Sequence, residues 1–531
     1  MNFELIEISK LGNMTFSVQF FIFILLSALA FYAIRPKMLR IYLVAAVSLG
    51  FCCSFGLENA VTLLITTVVA YVAAFFIDYF KKKDDGKGAK GAKGAKRAKG
   101  AWILGIVMCL ISLFVFKYAF WIVCKVIKIE AARPVLESIV LPIGLSFYTF
   151  GIIDYLTDVY KGKTSFMKNP IYFATYTMYF PKLISGPIED SATFMDKLTN
   201  LKNVRLIEEG KIESIISALL TGYFMKLVIA DRALIFVNDI FAHPDYYGSG
   251  ILILGSLLYT IQIYCDFAGY SLIAIGISKI FGIELMDNFK TPYFAENITD
   301  FWRRWHISLS NWLKEYIYIP LGGNRRGIKR QYLNIFIVFL VCGIWHGAAF
   351  KFVFWGILHG LYSICARFIE KRATSDRLIG IHLLIRGVSG RIVTFLCVSF
   401  AWIFFGSVYL RGALKYIGYM FNHIGCLLGR FDFIGSELSW KCPDRLNWSL
   451  FEGYRLFADR YFEFAILTAM VIVLGVFEYI SYKRSLTFDR LVTLSKRPVR
   501  YILWYLLFMA IIVLGVYGTH VSNASFIYMQ F

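Results

Sequence analysis

Long apolar runs separated by short polar stretches set the pattern of this chain. Runs long enough to cross a bilayer lie at roughly 16–34, 40–57, 60–80, 102–127, 139–160, 212–230, 250–281, 331–349, 352–369, 391–409, 462–481 and 501–519. A membrane-crossing helix needs about 20 apolar residues. The pattern therefore predicts an all-α polytopic membrane protein with about 12 transmembrane helices. A further piece near 171–185, YFATYTMYFPKLISG, is short and broken by Pro181, which predicts a re-entrant or interfacial element. The stretch 299–316, TDFWRRWHISLSNWLKEY, is different in kind. At helical spacing, Trp302, Trp305, His306, Leu309, Trp312, Leu313 and Tyr316 share one face, and Arg303, Arg304, Asn311, Lys314 and Glu315 share the other. That pattern predicts one helix lying at the membrane interface, capped by Asn297 or Thr299.

Composition sharpens this picture. Of 531 residues, 58% are hydrophobic and 17% charged, and the mean hydropathy is +0.62. A soluble domain carries roughly a quarter charged residues, so a soluble fold and a disordered chain are both excluded. The net charge of +21 does not indicate a nucleic-acid binder, because the charges punctuate apolar runs and form no solvated basic stripe. Basic residues instead set orientation. Segment 81–100 reads KKKDDGKGAKGAKGAKRAKG, with nine basic and two acidic residues, and is expected to be a flexible cytoplasmic loop. The basic residues of 161–168, 197–211, 325–330 and 483–500 then also fall inside. The loop 231–249, with Asp231, Asp239 and Asp245 against Arg232, falls outside, as does the segment 410–461. Both termini are expected outside, in a multi-pass plasma-membrane protein. The ten cysteines are scattered, without a Cys-x-x-Cys pair, so neither a disulfide framework nor a metal cluster is expected. No removable signal peptide is read at the N-terminus.

Chemistry is sought among the seven histidines, since imidazole is suited to proton transfer near neutral pH. His346, in GIWHGAAF, falls about fifteen residues into the eighth run, roughly 22 Å along a helix. A polar group there needs a partner or a task, and Gly343 and Gly347 beside it permit close approach. Catalytic and structural readings both stand for His346. His306, on the Trp-rich face, reads more simply as structural. His359, thirteen residues after His346, would point about 220° away on a straight helix. Lys351 and the fresh apolar run after it imply that the chain turns between the two.

The combination of NFKTPYFAENITDFWRRWHISLSNWLKEYIYIPLGGNRRG with GIWHGAAFKFVFWGILHG resembles the membrane-bound O-acyltransferase family, in its bacterial alginate O-acetyltransferase branch. LPIGLSFYTFGIIDY, YFPKLISGPI and YCDFAGYSLIAIG add to the likeness, which covers about 140–370. The family's paired histidines correspond to His306 and His346. Alginate-type members usually carry Asp after Gly-Tyr-Ser, where this chain has Leu272. That form is similar to the teichoic-acid D-alanyl transferase branch, whereas the PLGGN run is similar to the alginate branch. The lysine-rich loop is unlike typical members.

The resemblance implies acyl transfer across the membrane, from a cytoplasmic thioester such as acetyl-CoA to an extracytoplasmic hydroxyl, with no bound cofactor and no metal. The acceptor is expected to be an envelope polysaccharide or a secreted esterase-like partner. D-alanyl transfer to teichoic acid is the alternative within the family. A polymer or lipid transporter is the alternative outside it, although the duplicated halves common in transporters are not found. His346 is expected to act as base and His306 to stand near the donor or stabilise charge. Asp266, Trp305, Asn311, Asn324 and Arg325 are expected to bind substrate. A C-terminal tail resembling Phe-Ile-Tyr-Phe-x-Phe makes Tyr528 a candidate acyl carrier, with Met529 in place of Phe and simple anchoring of the tail as the other reading. The expected organisation is N-terminal helices over 1–138, a catalytic core over 139–372 and C-terminal helices over 373–531.

Overall fold

In a computed structural model, the structure describes residues 18–83, 89–137, 141–201, 204–205, 208, 210–373, 387–428 and 455–517. Among these residues every regular element is a helix. Nine helices among the described residues are long and apolar enough to cross a membrane: Leu57–Lys82, Lys93–Tyr118, Lys211–Ala242, Ser249–Ile280, Ile328–His346, Phe350–Glu370, Val388–Gly406, Tyr461–Arg484 and Arg497–Leu514. The other three predicted runs also form helices, but shorter ones: Val18–Ala33, Lys37–Cys53 and Leu145–Lys161, of 16, 17 and 17 residues. The expected count of twelve is therefore not reached by length. Pro36 closes the first two together, and Gly144 and Gly162, both left-handed, bracket the third. Leu25, Leu29, Ile65, Leu104, Ile392, Ile472 and Val513 are each more than half exposed. So broad an apolar exterior suits lipid and not water.

Two expectations need correction. The Gly-Ala-Lys stretch is not all loop: a helix begins at Ala89 and runs to Leu113. Alanine and lysine are good helix formers, and the apolar run behind them supplies the packing that holds the helix. The segment after 410, expected only to lie outside, begins with a further helix. Leu410–Leu428 is a helix whose Ala413, Tyr416 and Met420 are buried, with the Tyr416 hydroxyl donating to Leu252 O at 2.6 Å. The Trp-rich stretch is not one helix at the membrane surface; it breaks in two, as described below. The piece near 171–185 forms two short helices, Pro170–Met178 and Phe180–Leu183, parted at Tyr179 and largely buried.

Ser249–Ile280 is the most enclosed of the spanning helices and the centre of the bundle. It lies against Lys211–Ala242 at a glycine pair. A Cβ on Gly222 would stand 2.8 Å from Gly269 O, and one on Gly269 would stand 2.9 Å from Gly222 O. Only glycine permits so close a crossing. The crossing brings Lys226 to Asp266, Nζ to Oδ1 at 2.5 Å, with Asp231 completing the cluster at 2.8 Å. A second tight pair joins Ile328–His346 to Phe350–Ala373. Cβ atoms on Gly343 and Gly356 would lie 2.3 Å from Phe352 O and 2.4 Å from Phe339 O. This hairpin carries His346.

Candidate active site

His346 is the last residue of its helix, not a mid-helix residue, and the chain turns through 347–349 into Phe350–Ala373. The turn inferred from Lys351 is thus present, and His346 and His359 stand on two antiparallel helices. The C-terminal carbonyls of the His346 helix have no intrahelical partners. Lys117 Nζ donates to Trp345 O at 2.6 Å, and the Tyr118 hydroxyl donates to Ile344 O at 2.8 Å. Both donors come from one π-helical turn, Phe114–Tyr118. Lys351 closes the neighbouring helix end in the same way, donating to Phe405 O at 3.1 Å and Ser407 O at 2.6 Å. Cations at helix C-termini also meet the negative end of the dipole.

The buried His346 ring is held edge-to-face by Trp355 at 5.0 Å and Phe405 at 5.2 Å, and lies 4.9 Å from Trp345. The Trp345 ring reaches His306 on its other side, at 6.4 Å. The two histidines therefore share one tryptophan, and His306, Lys117 and His359 are the charged or titratable neighbours that act on His346.

His306 arrives there by a break in the backbone. Ile298–Arg304, capped by Asn297 Oδ1 accepting from Asp300 N at 2.8 Å, stops at Trp305; Ile307–Leu313 starts after His306. His306 itself is left-handed, with φ 42°. Such a conformation costs a non-glycine residue about 1–2 kcal/mol. The loop before it fixes the break: Lys290 N donates to Arg304 O and Ile307 N to Asn288 O, each at 3.0 Å. The Asn288 side chain accepts from Ser308 Oγ at 2.7 Å and lies 3.4 Å from His306 Nδ1. Phe267 packs on the imidazole at 4.7 Å. The tryptophans expected at a membrane interface face inward instead, Trp305 and Trp312 being buried.

His359 is fully buried. Its Nδ1 accepts from Trp302 Nε1 at 3.3 Å, and its ring lies 4.7 Å from Trp355, the tryptophan that also holds His346. It touches the His346 surroundings through these two indoles.

A cavity of about 700 Å³ begins at the 347–349 turn, directly after His346. Lys117, Lys226, Asn238, Gln262, Asp266 and Lys351 supply polar wall, and Phe116, Phe241, Tyr259 and Phe352 aromatic wall. Its size is that of ligand sites generally. On the far side of Asn288 a second cavity of about 30 Å³, room for a water, is lined by Ser271, Leu272, Asp287 and Glu478 among others. Burial lifts the Asp287 carboxyl there above its ordinary range, although Arg490 lies 3.0 Å away.

The structure thus gathers His346, His306 and Trp305 around one aromatic core and places Asp266 on the wall of the large cavity. It does not bring Asn311, Asn324 or Arg325 to them. All three are exposed, and the latter two precede a helix that runs roughly 27 Å before reaching His346. Tyr528 lies outside the described residues. Sequence reading passed over Asn288 and Lys117. The signal for Lys117 was available, as a lysine in the middle of an apolar run. The carboxylates of Asp154, Asp158 and Asp190, which come within 4.8 Å of one another, were also not anticipated. Beside them Lys163 is held above its ordinary value by its hydrogen bond to Glu315 at 2.5 Å.

A polytopic helical bundle with a broad apolar exterior, which buries two histidines near a cavity of mixed polar and aromatic lining, defines an integral membrane protein. Residues 51–407, about two thirds of the chain, match the MBOAT, membrane-bound O-acyltransferase family, and the protein belongs to it. It is 38% identical to the "Probable alginate O-acetylase" of Pseudomonas putida over 290 residues, 54% of this chain and 57% of that protein. It is 34% identical to the peptidoglycan O-acetyltransferase of Helicobacter pylori, over 70% of this chain and 73% of that one. Identity to the teichoic acid D-alanyltransferase of Bacillus subtilis is 29%, over 43% of this chain and 60% of that one. The chain spans less than two thirds of the length of the Pseudomonas relatives it matches, 57% and 60% in two of them.

Proposed function

We propose that the protein is an O-acyltransferase of the plasma membrane that moves an acetyl group from a cytoplasmic thioester, acetyl-CoA, to a hydroxyl outside. The acceptor is an envelope polysaccharide or a secreted partner that passes the group on. The observation that carries this reading is that buried His346 directly precedes the 347–349 turn that lines the large cavity, with His306 against the same tryptophan. The names of the alginate and peptidoglycan relatives support acetyl as the group and a polysaccharide as its destination.

The chemistry follows from the groups present. An acceptor hydroxyl entering by the 347–349 turn meets His346, which takes the proton as the oxygen attacks the thioester carbonyl carbon. The tetrahedral intermediate collapses with loss of the C–S bond, and His346 returns the proton to the thiolate. His306, fixed by Asn288 and Ser308, holds the donor side. The orientation that puts the 347–349 turn outside also puts both termini outside. Leu272, on the small cavity beside Asn288, favours a second reading in which the transferred group is D-alanyl.

The test is His346→Ala in purified protein and in a strain with no other copy. Thiol release from acetyl-CoA and envelope O-acetylation should both vanish while expression and insertion persist. Normal acyl content in that strain would end the assignment.

A further inference from the structure

An acyl-transfer centre needs, besides a base, something to hold the negative charge that develops on the carbonyl oxygen. The structure offers one group for that task which neither the histidine pair nor the comparisons identify. Lys117 lies in the middle of an apolar run, where a charge is costly unless it has a use. It sits in a π-helical turn, and π turns recur at functional sites. Two of its three ammonium hydrogens have acceptors, Trp345 O at 2.6 Å and Ser146 Oγ at 3.3 Å. Both acceptors are neutral, and among the described residues no ion pair joins Lys117 to a carboxylate. No carboxylate among them neutralises it, so in its protonated form it has its charge and one hydrogen to offer an incoming anion.

Its position makes that charge relevant. Trp345 O belongs to the peptide bond that leads into His346, so Lys117 is anchored one residue from the base. Lys117 also lines the large cavity, alongside the 347–349 turn. An acceptor oxygen that reaches His346 comes to a carbonyl carbon flanked by this ammonium. A helix cap alone would need no opening onto a cavity. A cation held by two hydrogen bonds at the wall of a cavity is suited to stabilise a developing oxyanion.

We propose that Lys117 is the oxyanion-stabilising cation of this centre, an inference that rests on the acyl-transfer reading above. As the acceptor oxygen bonds to the carbonyl carbon and its proton passes to His346, the carbonyl π electrons move to oxygen. Lys117 donates its remaining hydrogen to that oxyanion. On collapse the C=O bond re-forms, the C–S bond breaks, and the thiolate takes the proton from His346. Lys117 begins and ends protonated.

The experiment uses the full chain in lipid nanodiscs, as wild type, Lys117→Gln and Lys117→Arg, with acetyl-CoA as donor. Two unreactive donor analogues are titrated by calorimetry: a ketone, which mimics the bound ground state, and a trifluoroketone, whose hydrate mimics the tetrahedral state. In Lys117→Gln the turnover number for thiol release should fall about 100–1,000-fold, the usual effect of removing one oxyanion donor. The ketone should still bind within twofold of wild type, which also reports an intact fold. The preference for the trifluoroketone should be lost, and Lys117→Arg should recover most of both properties. Equal weakening of both analogues would reduce Lys117 to a helix cap and overturn the proposal. So would a Lys117→Gln protein that keeps its turnover and its trifluoroketone preference, in which case acyl transfer itself still stands. A wild type that releases no thiol overturns the acyl-transfer reading and this inference with it.

Discussion

The glycine hairpin that carries His346 gives the sharpest quantitative test of how the site is held. In Gly343→Ala the new Cβ would lie 2.3 Å from Phe352 O and 3.2 Å from Gly356 Cα. Ordinary contact begins at 3.4 Å, so the two helices must separate by about 1.1 Å at this point. Neither neighbour can swing away, because both are backbone. Overpacking of this kind costs about 1–3 kcal/mol, against which the better helix propensity of alanine returns about 1 kcal/mol. The net expectation is a destabilisation of about 0–2 kcal/mol. The larger effect should be on chemistry. Gly343 is one turn before His346, so the separation displaces the imidazole by a similar distance, and a 1 Å error in a reacting group costs on the order of 100-fold in rate. Gly475→Ala is the control, since that Cβ meets nothing within 4 Å on another spanning helix. Thermal unfolding in detergent and thiol release from acetyl-CoA should be measured for both. A Gly343→Ala protein with wild-type melting and wild-type turnover would refute the close approach and the argument built on it.

Other outcomes follow from the same geometry. His306→Ala should lower acyl transfer at least tenfold, and Asn288→Ala, which frees the left-handed turn, should do so in parallel; near wild-type acylation in both would make the turn irrelevant to chemistry. Cysteines placed at 90 and 440 should label from opposite sides of the membrane, the first only after permeabilisation, and labelling of both from outside would reverse the orientation. Tyr528→Phe keeps the apolar character of the tail and removes one hydroxyl; unchanged envelope acylation would reduce the tail to an anchor.

How much of this was legible in the sequence depends on which force wrote each feature. Membrane-crossing helices are dictated by apolar transfer and by the need to satisfy backbone hydrogen bonds locally. Their existence could be read from composition alone, as for 57–82 or 249–280. Helix ends answer to other rules. The 331–349 run is apolar through Phe350, yet the helix stops at His346, because Gly347 and the close packing of Phe352 favour a turn. Lys90, Lys93 and Lys96 looked like loop residues because charge was weighed above helix propensity. The histidine pair was visible through family resemblance and not through spacing. His306 and His346 lie 40 residues apart on separate elements, and Trp345 is what joins them.

The Trp305–His306 junction shows why periodicity failed where function concentrates. Read as one helix, 299–316 puts three tryptophans on a single face, a pattern equally suited to a membrane interface and to a buried core. Periodicity cannot tell these apart, since both demand an apolar stripe. What decides is the loop Asn288–Lys290, whose backbone bonds to Arg304 and Ile307 substitute for helix hydrogen bonds and pay for a left-handed histidine. Those partners lie fourteen to nineteen residues away, outside any helical window. A continuous helix would have set His306 at a fixed 100° from Trp305. The break instead lets Trp305 stack against Trp402 at 5.1 Å while His306 turns beneath Phe267 toward Trp345. Strain of this kind persists only where surrounding contacts over-determine it, and such positions cluster at active sites. The strained residue here is also one of the two histidines that the family resemblance singles out, so the local cost falls on the side chain proposed to hold the donor side.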